Sequence, residues 1–389
     1  MAIPFKVNLR GLLVRKVSTI STIVCLALVV AVFSTMMALA AGLAHTFKIS
    51  GDALNVMVMR DGSTSEINSG LTTEQYEILT SLPGAARDAA GKPNVTGEVV
   101  LVINQNKRGH DKGANIILRG VTPQAFAVHP EIKVVEGRTF TPGQSELIAS
   151  RSIAKKFQGC GLGEVLTLKK RQFKVVGLFE AGGTSKDSEI LGDVDELRDA
   201  FDRKGYFSTV FIRAADPSAI SVIQSGIKAD QRLNLKAIRE TDYFSEQTQQ
   251  SGIIIAAGMF LAIILAVGAG FGAANTMYAA VSSRSKEIGT LRAIGFSRFS
   301  ILLAYMTEAL VLGAMGGVVG ILITYFAMNG VNTGTINWQS FSEVSFAFRV
   351  TPILAVIAIA FASVIGALGG LLPATLAARA RITQALRQI

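Results

Sequence analysis

The chain has 389 residues, of which half are apolar and 17% are charged, and its formal net charge is +10. A mean hydropathy of +0.43 excludes an ordinary soluble domain and is typical of a membrane protein with a large water-soluble part. Its two cysteines, Cys25 and Cys160, lie in an apolar segment and in a predicted external domain. They therefore cannot form a disulfide within one chain, and no disulfide-stapled fold is expected.

Four apolar segments are long enough to cross the hydrocarbon core of a bilayer, which takes about 20 helical residues. We predict transmembrane helices at residues 17–43, 253–281, 300–328 and 351–376. The first segment also resembles a secretory signal, because Ala38-Leu39-Ala40 imitates a cleavage site. Its apolar run, however, is about twice as long as the roughly 7–15 apolar residues of such signals. We therefore predict an uncleaved first helix.

The distribution of basic residues predicts the orientation of the chain. Basic residues collect on the cytoplasmic side of membrane proteins. Here they cluster at Lys6, Arg10, Arg15 and Lys16 before the first span, at Arg284, Lys286, Arg292 and Arg298 in the second loop, and at Arg379, Arg381 and Arg387 after the fourth span. We therefore predict a multi-pass protein of the cell inner membrane, with both termini cytoplasmic and residues 44–252 periplasmic. Because topology accounts for the basic excess, the lipid bilayer and not nucleic acid is the expected partner of these charges.

Residues 1–16 precede the first span and have a mixed pattern. Leu9, Leu12 and Leu13 mark one side and Arg10 and Arg15 another, which predicts an amphipathic helix on the cytoplasmic membrane face. A plain positive flank of the first span explains the same residues, and the sequence leaves both interpretations open.

The periplasmic segment at residues 44–252 alternates strand and helix patterns. Residues 44–113 and 191–240 predict one α+β lobe, in which Thr72 or Thr73 caps one helix and Asp193 another. Residues 114–190 contain short β-runs between glycines and charged turns, which predicts a β-rich lobe inserted into the first. A polar stalk helix at residues 241–252 then leads into the second span. Strands are predicted at residues 54–59, 95–104, 116–121, 165–168, 173–179, 206–213 and 234–239.

The second loop, at residues 282–299, carries the most informative motif, R-x-x-E-I-G-x-L-R-A-I-G, from Arg284 to Gly295. Basic residues alone would be ordinary in a cytoplasmic loop. This loop also has an acid, an apolar edge and a glycine that can end a helix. These features indicate a short helix that docks a soluble partner.

This motif resembles the coupling helix of ABC-transporter permeases of the MacB, LolC/LolE and FtsX type, the type VII or mechanotransmission family. Two segments, Val135–Phe140 and Val175–Phe179, are similar to the E-G-R-x-F and V-V-G-x-F pieces of that family's inserted lobe. The stretch from Pro373 to Arg387 is similar to its terminal pattern. The resemblance implies a porter-like lobe with a sabre-like insertion. It also implies that the ATPase-docking residues are Arg284, Lys286, Glu287, Ile288, Leu291, Arg292, Ile294 and Gly295.

The third and fourth spans contain small residues at helical spacing, which let membrane helices approach closely. We predict helix packing at Gly313, Gly316, Gly317, Gly320, Gly366 and Gly370. The pattern leaves open whether these contacts lie within one chain or between two copies. The resemblance implies that the second span lines a dimer contact.

One acid, Glu308, lies about two turns inside the third span. Intramembrane acids by default suggest function. We interpret Glu308 as structural, because the sequence shows no second acid, no Arg and no His at comparable depth. Near the interface it can snorkel, or it can accept a hydrogen bond from Thr307 or from a neighbouring helix.

The sequence has no phosphate-binding loop of the form G-x-x-x-x-G-K-[ST] and no H-E-x-x-H, C-x-x-C or G-x-S-x-G motif. We therefore predict that this chain is not an enzyme by itself and has no catalytic, cofactor or metal site. The resemblance implies that ATP and Mg are bound by a separate ATPase subunit.

The resemblance also implies a function. The expected protein is a permease subunit that couples ATP hydrolysis by the ATPase to movement of its periplasmic lobes and exports a hydrophobic or amphipathic substrate. Its expected partners are the ATPase, a second permease subunit in a homodimer or paralogous heterodimer, a periplasmic membrane-fusion adaptor and an outer-membrane channel. A lipoprotein-releasing permease of the LolC/LolE type and an FtsX-like activator of a cell-wall hydrolase remain as alternatives.

Overall fold

The computed structural model describes residues 16–109, 113–250, 252–336 and 342–379. Residues 1–15 of the predicted N-terminal helix and the end of the predicted C-terminal tail lie outside the described residues. Contacts divide the chain into two compact units. The membrane unit falls within Met1–Gly42, Ser251–Val331 and Ala347–Ile389, and the sheet unit falls within Leu43–Gln250 and Asn332–Phe346.

The helices and strands agree with the predicted fold class. The helices are α1 (Lys16–Ser50), α2 (Thr73–Thr80), α3 (Ala125–Val128), α4 (Arg151–Lys156), α5 (Val194–Ala200), α6 (Ala219–Ala229), α7 (Glu240–Gln250), α8 (Gly252–Ser283), α9 (Ser285–Ala293), α10 (Arg298–Met328) and α11 (Pro352–Arg379). The strands are β1 (Asn55–Arg60), β2 (Leu71–Thr72), β3 (Val95–Asn106), β4 (Gly113–Val121), β5 (Lys133–Gly137), β6 (Glu146–Ser150), β7 (Val165–Leu168), β8 (Arg171–Glu180), β9 (Glu189–Asp193), β10 (Tyr206–Phe207), β11 (Thr209–Arg213), β12 (Leu235–Arg239), β13 (Asn332–Ile336) and β14 (Glu343–Ala347). Helices α1, α8, α10 and α11 are long and apolar enough to cross a membrane. The prediction of four membrane helices beside a large domain of helices and strands is confirmed.

One mixed sheet forms the centre of the sheet unit. Its strand order is β12-β1-β11-β3-β4-β9-β6-β8-β5, and β7 pairs with β8. The pairs β4–β9 and β6–β8 are parallel, and the other pairs of this sheet are antiparallel. The strands predicted for both lobes thus share one sheet, and the division into two lobes stays a prediction.

Alternating side chains place apolar residues on both faces of this sheet, since successive strand residues point to opposite sides. On β6, Leu147 and Ala149 belong to the larger core, whereas Ile148 belongs to a second core on the other face. Amphipathic helix α6 packs into the larger core through residues at helical spacing. Cys160 is also buried in that core, and burial raises the pKa of its thiol to about 12.

Side-chain caps fix the helices that flank the sheet. Thr72 Oγ1 accepts a hydrogen bond from Gln75 N, and Gln75 Oε1 accepts one from Thr72 N, which completes a capping box on α2. Asp193 accepts from the first backbone amides of α5. Both predicted caps are confirmed. Helix α4 was missed because its six residues are too few to show a helical period.

A cluster of buried charges lies where β3, β4 and β9 adjoin. The guanidinium of Arg119 uses all five of its N–H donors on the carboxylates of Glu66, Glu98 and Glu189, at 2.6–3.0 Å. Arg119 is 4% exposed and Glu98 is fully buried. Because each charge has a partner, the cluster compensates much of the cost of removing these groups from water.

The imidazole of His129 extends this cluster. Its Nε2 lies 3.3 Å from Glu98 Oε1, and its Nδ1 lies 3.4 Å from Glu131 Oε1 and 4.0 Å from Glu240 Oε1. These are ion-pair distances without a well-directed hydrogen bond. Burial and nearby Lys186 lower the pKa of His129, but the carboxylates outweigh both effects and raise it to about 9. Burial alone would raise the pKa of Glu98, whereas Arg119 and His129 lower it to about 2.

The raised pKa of His129 predicts a loss of stability in alkali. A histidine whose pKa is higher in the folded state stabilises it fully below its unfolded pKa of about 6.5. That contribution then disappears as the pH rises through about 9. We expect the unfolding free energy of the full chain to fall by roughly 3 kcal/mol between pH 6.5 and 9.5 because of this group. Unfolding of His129→Gln, followed by circular dichroism, should lack this decrease. An equal decrease in both proteins would contradict the assignment.

Candidate functional site

The second loop of the membrane unit is a helix with defined ends, as the motif predicted. Helix α9 starts directly after Arg284 and ends at Ala293, and Gly295 has a φ of 106° that L side chains rarely adopt. The amide of Phe296 donates to Leu291 O at 3.1 Å, which closes the end of the helix. Ser297 then caps α10 by accepting from Ser300 N. Short connections at both ends therefore hold α9 between two membrane helices.

An apolar contact fixes the inner face of α9. Ile288 is 2% exposed and belongs to a buried cluster with Met277 of α8, Tyr305 of α10 and Ala377 of α11. The sequence analysis placed Ile288 on the docking edge, and this needs correction. Its side chain anchors α9 to three membrane helices, so it is not on the surface that a partner can contact.

An ion pair fixes the start of α9. Arg284 Nη1 lies 3.8 Å from Glu308 Oε2, and Arg284 Nε lies 3.7 Å from Glu287 Oε2. Glu308 is buried in α10, and Arg284 is mostly buried too. Thr307 Oγ1 donates a hydrogen bond to Ala304 O within α10. Sequence reasoning did not identify Arg284 as the partner of Glu308, because the two residues lie on separate elements.

The outer face of α9 is exposed. Lys286, Glu287, Ile294 and Gly295 are exposed, and Leu291 and Arg292 are half-buried. The exposed fraction of the Glu287 side chain is 72%, and that of Ile294 is 69%. Phe299, in the first turn of α10, is equally exposed and was missed because it lies after the motif. We call the exposed residues Lys286, Glu287, Ile294, Gly295 and Phe299 the outer face.

The predicted packing glycines lie where helices touch within one chain. A Cβ on Gly313 would lie 2.6 Å from Ala362 O of α11, and one on Gly366 would lie 2.7 Å from Ala309 O of α10. Gly317 and Gly370 make similar contacts between α10 and α11, and Gly316 and Gly320 contact α1. Helix α10 thus approaches α1 and α11 through glycines on two of its faces. For these glycines, the contacts lie within one chain.

The second span, α8, has little covering within one chain. Only 17% of its most apolar stretch is buried, compared with 39–44% for the other three spans. Nothing lies within 4 Å of a Cβ placed on Gly268 or Gly270. Exposed large apolar side chains along α8 are Met259, Phe260, Leu261, Ile263, Ile264, Leu265, Val267, Phe271 and Tyr278.

A junction inside the sheet unit joins the end of α1 to the start of α7. A Cβ on Gly51 would lie 2.8 Å from the backbone of Thr241. Buried Glu240 accepts hydrogen bonds from Asp52 N at 3.0 Å and Asn55 Nδ2 at 2.9 Å. Sequence reasoning missed this junction, since one glycine and one acid create no pattern. The two helices therefore meet at a fixed point of the sheet unit.

Among the described residues, no group of three or more His, Cys, Asp or Glu side chains could hold a metal ion. A cavity of about 40 Å³ beside Lys186 and Tyr243 in the sheet unit has room for a few water molecules. The exposed outer face of α9 is thus the best candidate for a functional surface.

The Arg284–Glu308 contact predicts how α9 responds to substitution. Arg284→Gln leaves the buried carboxylate of Glu308 without its guanidinium, which costs more than removing both charges together. We expect hydrogen exchange of the α9 amides to increase about tenfold in Arg284→Gln and to recover in Arg284→Gln/Glu308→Gln. Equal exchange in the single variant and the unmodified protein would contradict an anchoring role.

The glycine contacts predict a position-dependent cost of one methyl group. Gly313→Ala places its Cβ against the backbone of α11, so we expect a loss of roughly 1–3 kcal/mol in unfolding free energy. The matched control is Gly268→Ala, whose Cβ meets open space. Unfolding of the full chain in detergent, followed by circular dichroism, compares the two. Equal midpoints would show that the helices do not pack as described.

Comparison with known families matches almost the whole chain. The model of a family described as a MacB-like periplasmic core domain matches residues 18–230, and that of the FtsX-like permease C-terminal family matches residues 259–382.

The relatives differ in how much of their own length this chain spans. The macrolide export ATP-binding/permease protein MacB of Brucella melitensis biotype 1 is 25% identical over 96% of this chain, which spans only 58% of that relative. The ABC transporter permease YknZ of Bacillus subtilis is 28% identical over 82% of this chain and 85% of its own length. A solved structure of the periplasmic region of MacB from Actinobacillus actinomycetemcomitans covers 52% of this chain and 95% of its own, with 14% identity and a TM-score of 0.39.

Proposed function

The chain belongs to the MacB-like, FtsX-like family of ABC-transporter permeases, and from this premise we propose that it couples a separate ATPase to movement of its sheet unit. It contains no phosphate-binding loop motif. ATP and Mg would therefore be bound by the partner, and this chain would supply only the docking surface and the moving parts. Docking on an ATPase is a proposal, because the chain spans only part of its MacB relatives.

The observation that carries the proposal is the two-sided character of α9. Its inner side is anchored by Ile288 and by the Arg284–Glu308 pair. Its outer side presents Glu287 beside exposed Ile294 and Phe299. An anchored helix with an exposed charge and apolar side chains suits a protein contact that must transmit force, because little of the movement is lost in the helix itself.

We propose mechanotransmission as the mode of coupling. ATP-driven closure of the ATPase would displace α9, and α9 would displace α10 through Arg284 and Glu308. The spans are strongly apolar, which supports work by the sheet unit instead of solute passage between these helices. In this scheme the sheet unit acts in the periplasm, and both termini and α9 lie in the cytoplasm, as the basic residues predict.

We also propose a second permease subunit. The exposed apolar face of α8, with Gly268 and Gly270, suits close packing against another helix. The pair is a homodimer or a paralogous heterodimer.

For the substrate, we propose export of a hydrophobic or amphipathic compound, with a periplasmic adaptor and an outer-membrane channel. Relatives named as macrolide and pyoverdine export proteins support export, with lipoprotein release and activation of a cell-wall hydrolase as the alternatives.

Substitutions on the outer face test docking. Glu287→Lys reverses an exposed charge, and Ile294→Asp puts a charge into an apolar contact, so we expect each to weaken ATPase binding at least about tenfold. Both residues are exposed, so membrane abundance should stay normal. Pull-down of the co-expressed ATPase measures binding. The matched control is Glu77→Lys, the same charge change at an exposed position of α2 in the sheet unit. Full binding by both outer-face variants would refute docking at α9.

A further inference from the structure

The connection between α10 and α11 forms a small hairpin of its own. Strand β13 begins at Asn332, just after α10 ends, and β14 ends at Ala347, just before α11 begins. Backbone hydrogen bonds from Gly330 N to Phe348 O and from Phe348 N to Val331 O close its base. An isolated two-stranded hairpin is only marginally stable in water. Its order therefore depends on what it contacts.

The hairpin packs inside the sheet unit, to which Asn332–Phe346 belong. Val344 and Phe346 are buried there. The amide of Ser345 donates to Ser188 Oγ at 2.7 Å, and Lys156 Nζ donates to Ser345 Oγ at 2.8 Å. Apolar burial and directed hydrogen bonds thus fix β14 against the 3₁₀ turn at Ser185–Ser188 and helix α4.

A single carboxylate provides the charged part of this contact. Glu343 Oε2 lies 2.6 Å from Lys107 Nζ, and Glu343 Oε1 lies 3.8 Å from Lys156 Nζ. The Glu343 side chain is only 10% exposed. It lies across Gly334 of β13, where an added Cβ would come within 2.5 Å of its Cγ. The glycine therefore leaves the space through which the carboxylate reaches both lysines.

Backbone hydrogen bonds join the two segments that carry Lys107 and Lys156. Arg108 N donates to Lys156 O at 2.8 Å, and Gln158 N donates to Asn106 O at 2.9 Å. Lys107 directly follows β3, a long strand that pairs with β4 and β11 inside the sheet. A force on Glu343 would therefore reach a central strand and not a loose loop.

The other end of the hairpin is equally well anchored. Helices α10 and α11, which carry it, interlock at Gly313 and Gly366. Helix α10 also holds Glu308, the partner of Arg284 at the start of α9. A displacement of α9 would thus act on the same pair of helices that carries the hairpin.

We propose that Glu343 is a positioning residue that makes the β13–β14 hairpin a third mechanical attachment of the sheet unit, beside α1 and α7. Through Lys107 and Lys156, it passes displacement of α10 and α11 to the sheet. This inference rests on the proposed function, because it presumes that an ATPase moves the membrane helices.

The test uses the full chain with its co-expressed ATPase in lipid nanodiscs. Glu343→Lys sets three ammonium groups against one another, and Glu343→Lys/Lys107→Glu/Lys156→Glu restores attraction with the signs exchanged. Lys155→Glu, at an exposed position of α4 next to Lys156, is the control for the Lys→Glu changes. Hydrogen exchange of the described hairpin amides reports attachment. The change in exchange of β3 and β8 on adding ATP reports transmission, and pull-down and ATP hydrolysis report docking.

We expect hydrogen exchange of the hairpin amides to be about tenfold faster in Glu343→Lys than in the unmodified protein. This variant should still bind the ATPase and hydrolyse ATP, but lose more than about half of the ATP-dependent change in the sheet. The charge-exchanged protein should recover both, and Lys155→Glu should change neither. Retained hydrolysis with lost transmission separates a positioning role from a merely structural one.

Three results would overturn the inference. The first is a released hairpin with a full ATP-dependent change in Glu343→Lys. The second is a charge-exchanged protein in which the hairpin amides are protected from hydrogen exchange but the exchange of the sheet does not change on adding ATP. If Glu343→Lys unfolds the sheet, the variant Gly334→Val replaces it, since the valine side chain displaces the carboxylate without removing its charge. The third result is then an unchanged ATP-dependent change in the sheet of Gly334→Val. Failure of the proposed function is distinct, because the unmodified protein would then bind no ATPase and show no response to ATP.

Discussion

Helices α10 and α11 approach so closely that their backbones touch, and much of the membrane unit depends on this contact. Gly313 and Gly366 leave no room for a side chain at the crossing. In a bilayer, lipid tails are as apolar as leucine, so close packing has to supply the attraction between helices. This pair holds Glu308, to which α9 is tied, and it carries the hairpin that reaches the sheet. The proposed docking and transmission both depend on this pair of helices.

Buried charge provides the second constraint. Arg119 and Glu98 are removed from water, and each has partners that offset part of that cost. His129 links this cluster to Glu240, which fixes the junction of α1 and α7. Apolar packing alone tolerates small shifts, whereas a buried charge is stable only beside its partner. The cluster therefore fixes the end of α1 and the start of α7 inside the sheet unit.

The sequence predicted what depends on local pattern. Apolar length located the four spans, Thr72 and Asp193 showed where helices start, and the motif located α9. It could not show which side of α9 faces inward, because both sides carry apolar residues, so Ile288 was placed on the wrong face. Pairs such as Arg284–Glu308 and Lys107–Glu343 join distant segments. Only the tertiary structure brings such side chains together, and no spacing along the chain encodes them.

The buried thiol of Cys160 has a consequence for how this molecule survives where oxidants are present. Thiol exchange proceeds through the thiolate, and a pKa of about 12 leaves almost none of it at neutral pH. Burial in the apolar core also keeps other thiols away. Two copies lying side by side would therefore not become cross-linked through this residue. The sheet unit relies on packing and ion pairs for its integrity, and its single thiol stays unreactive.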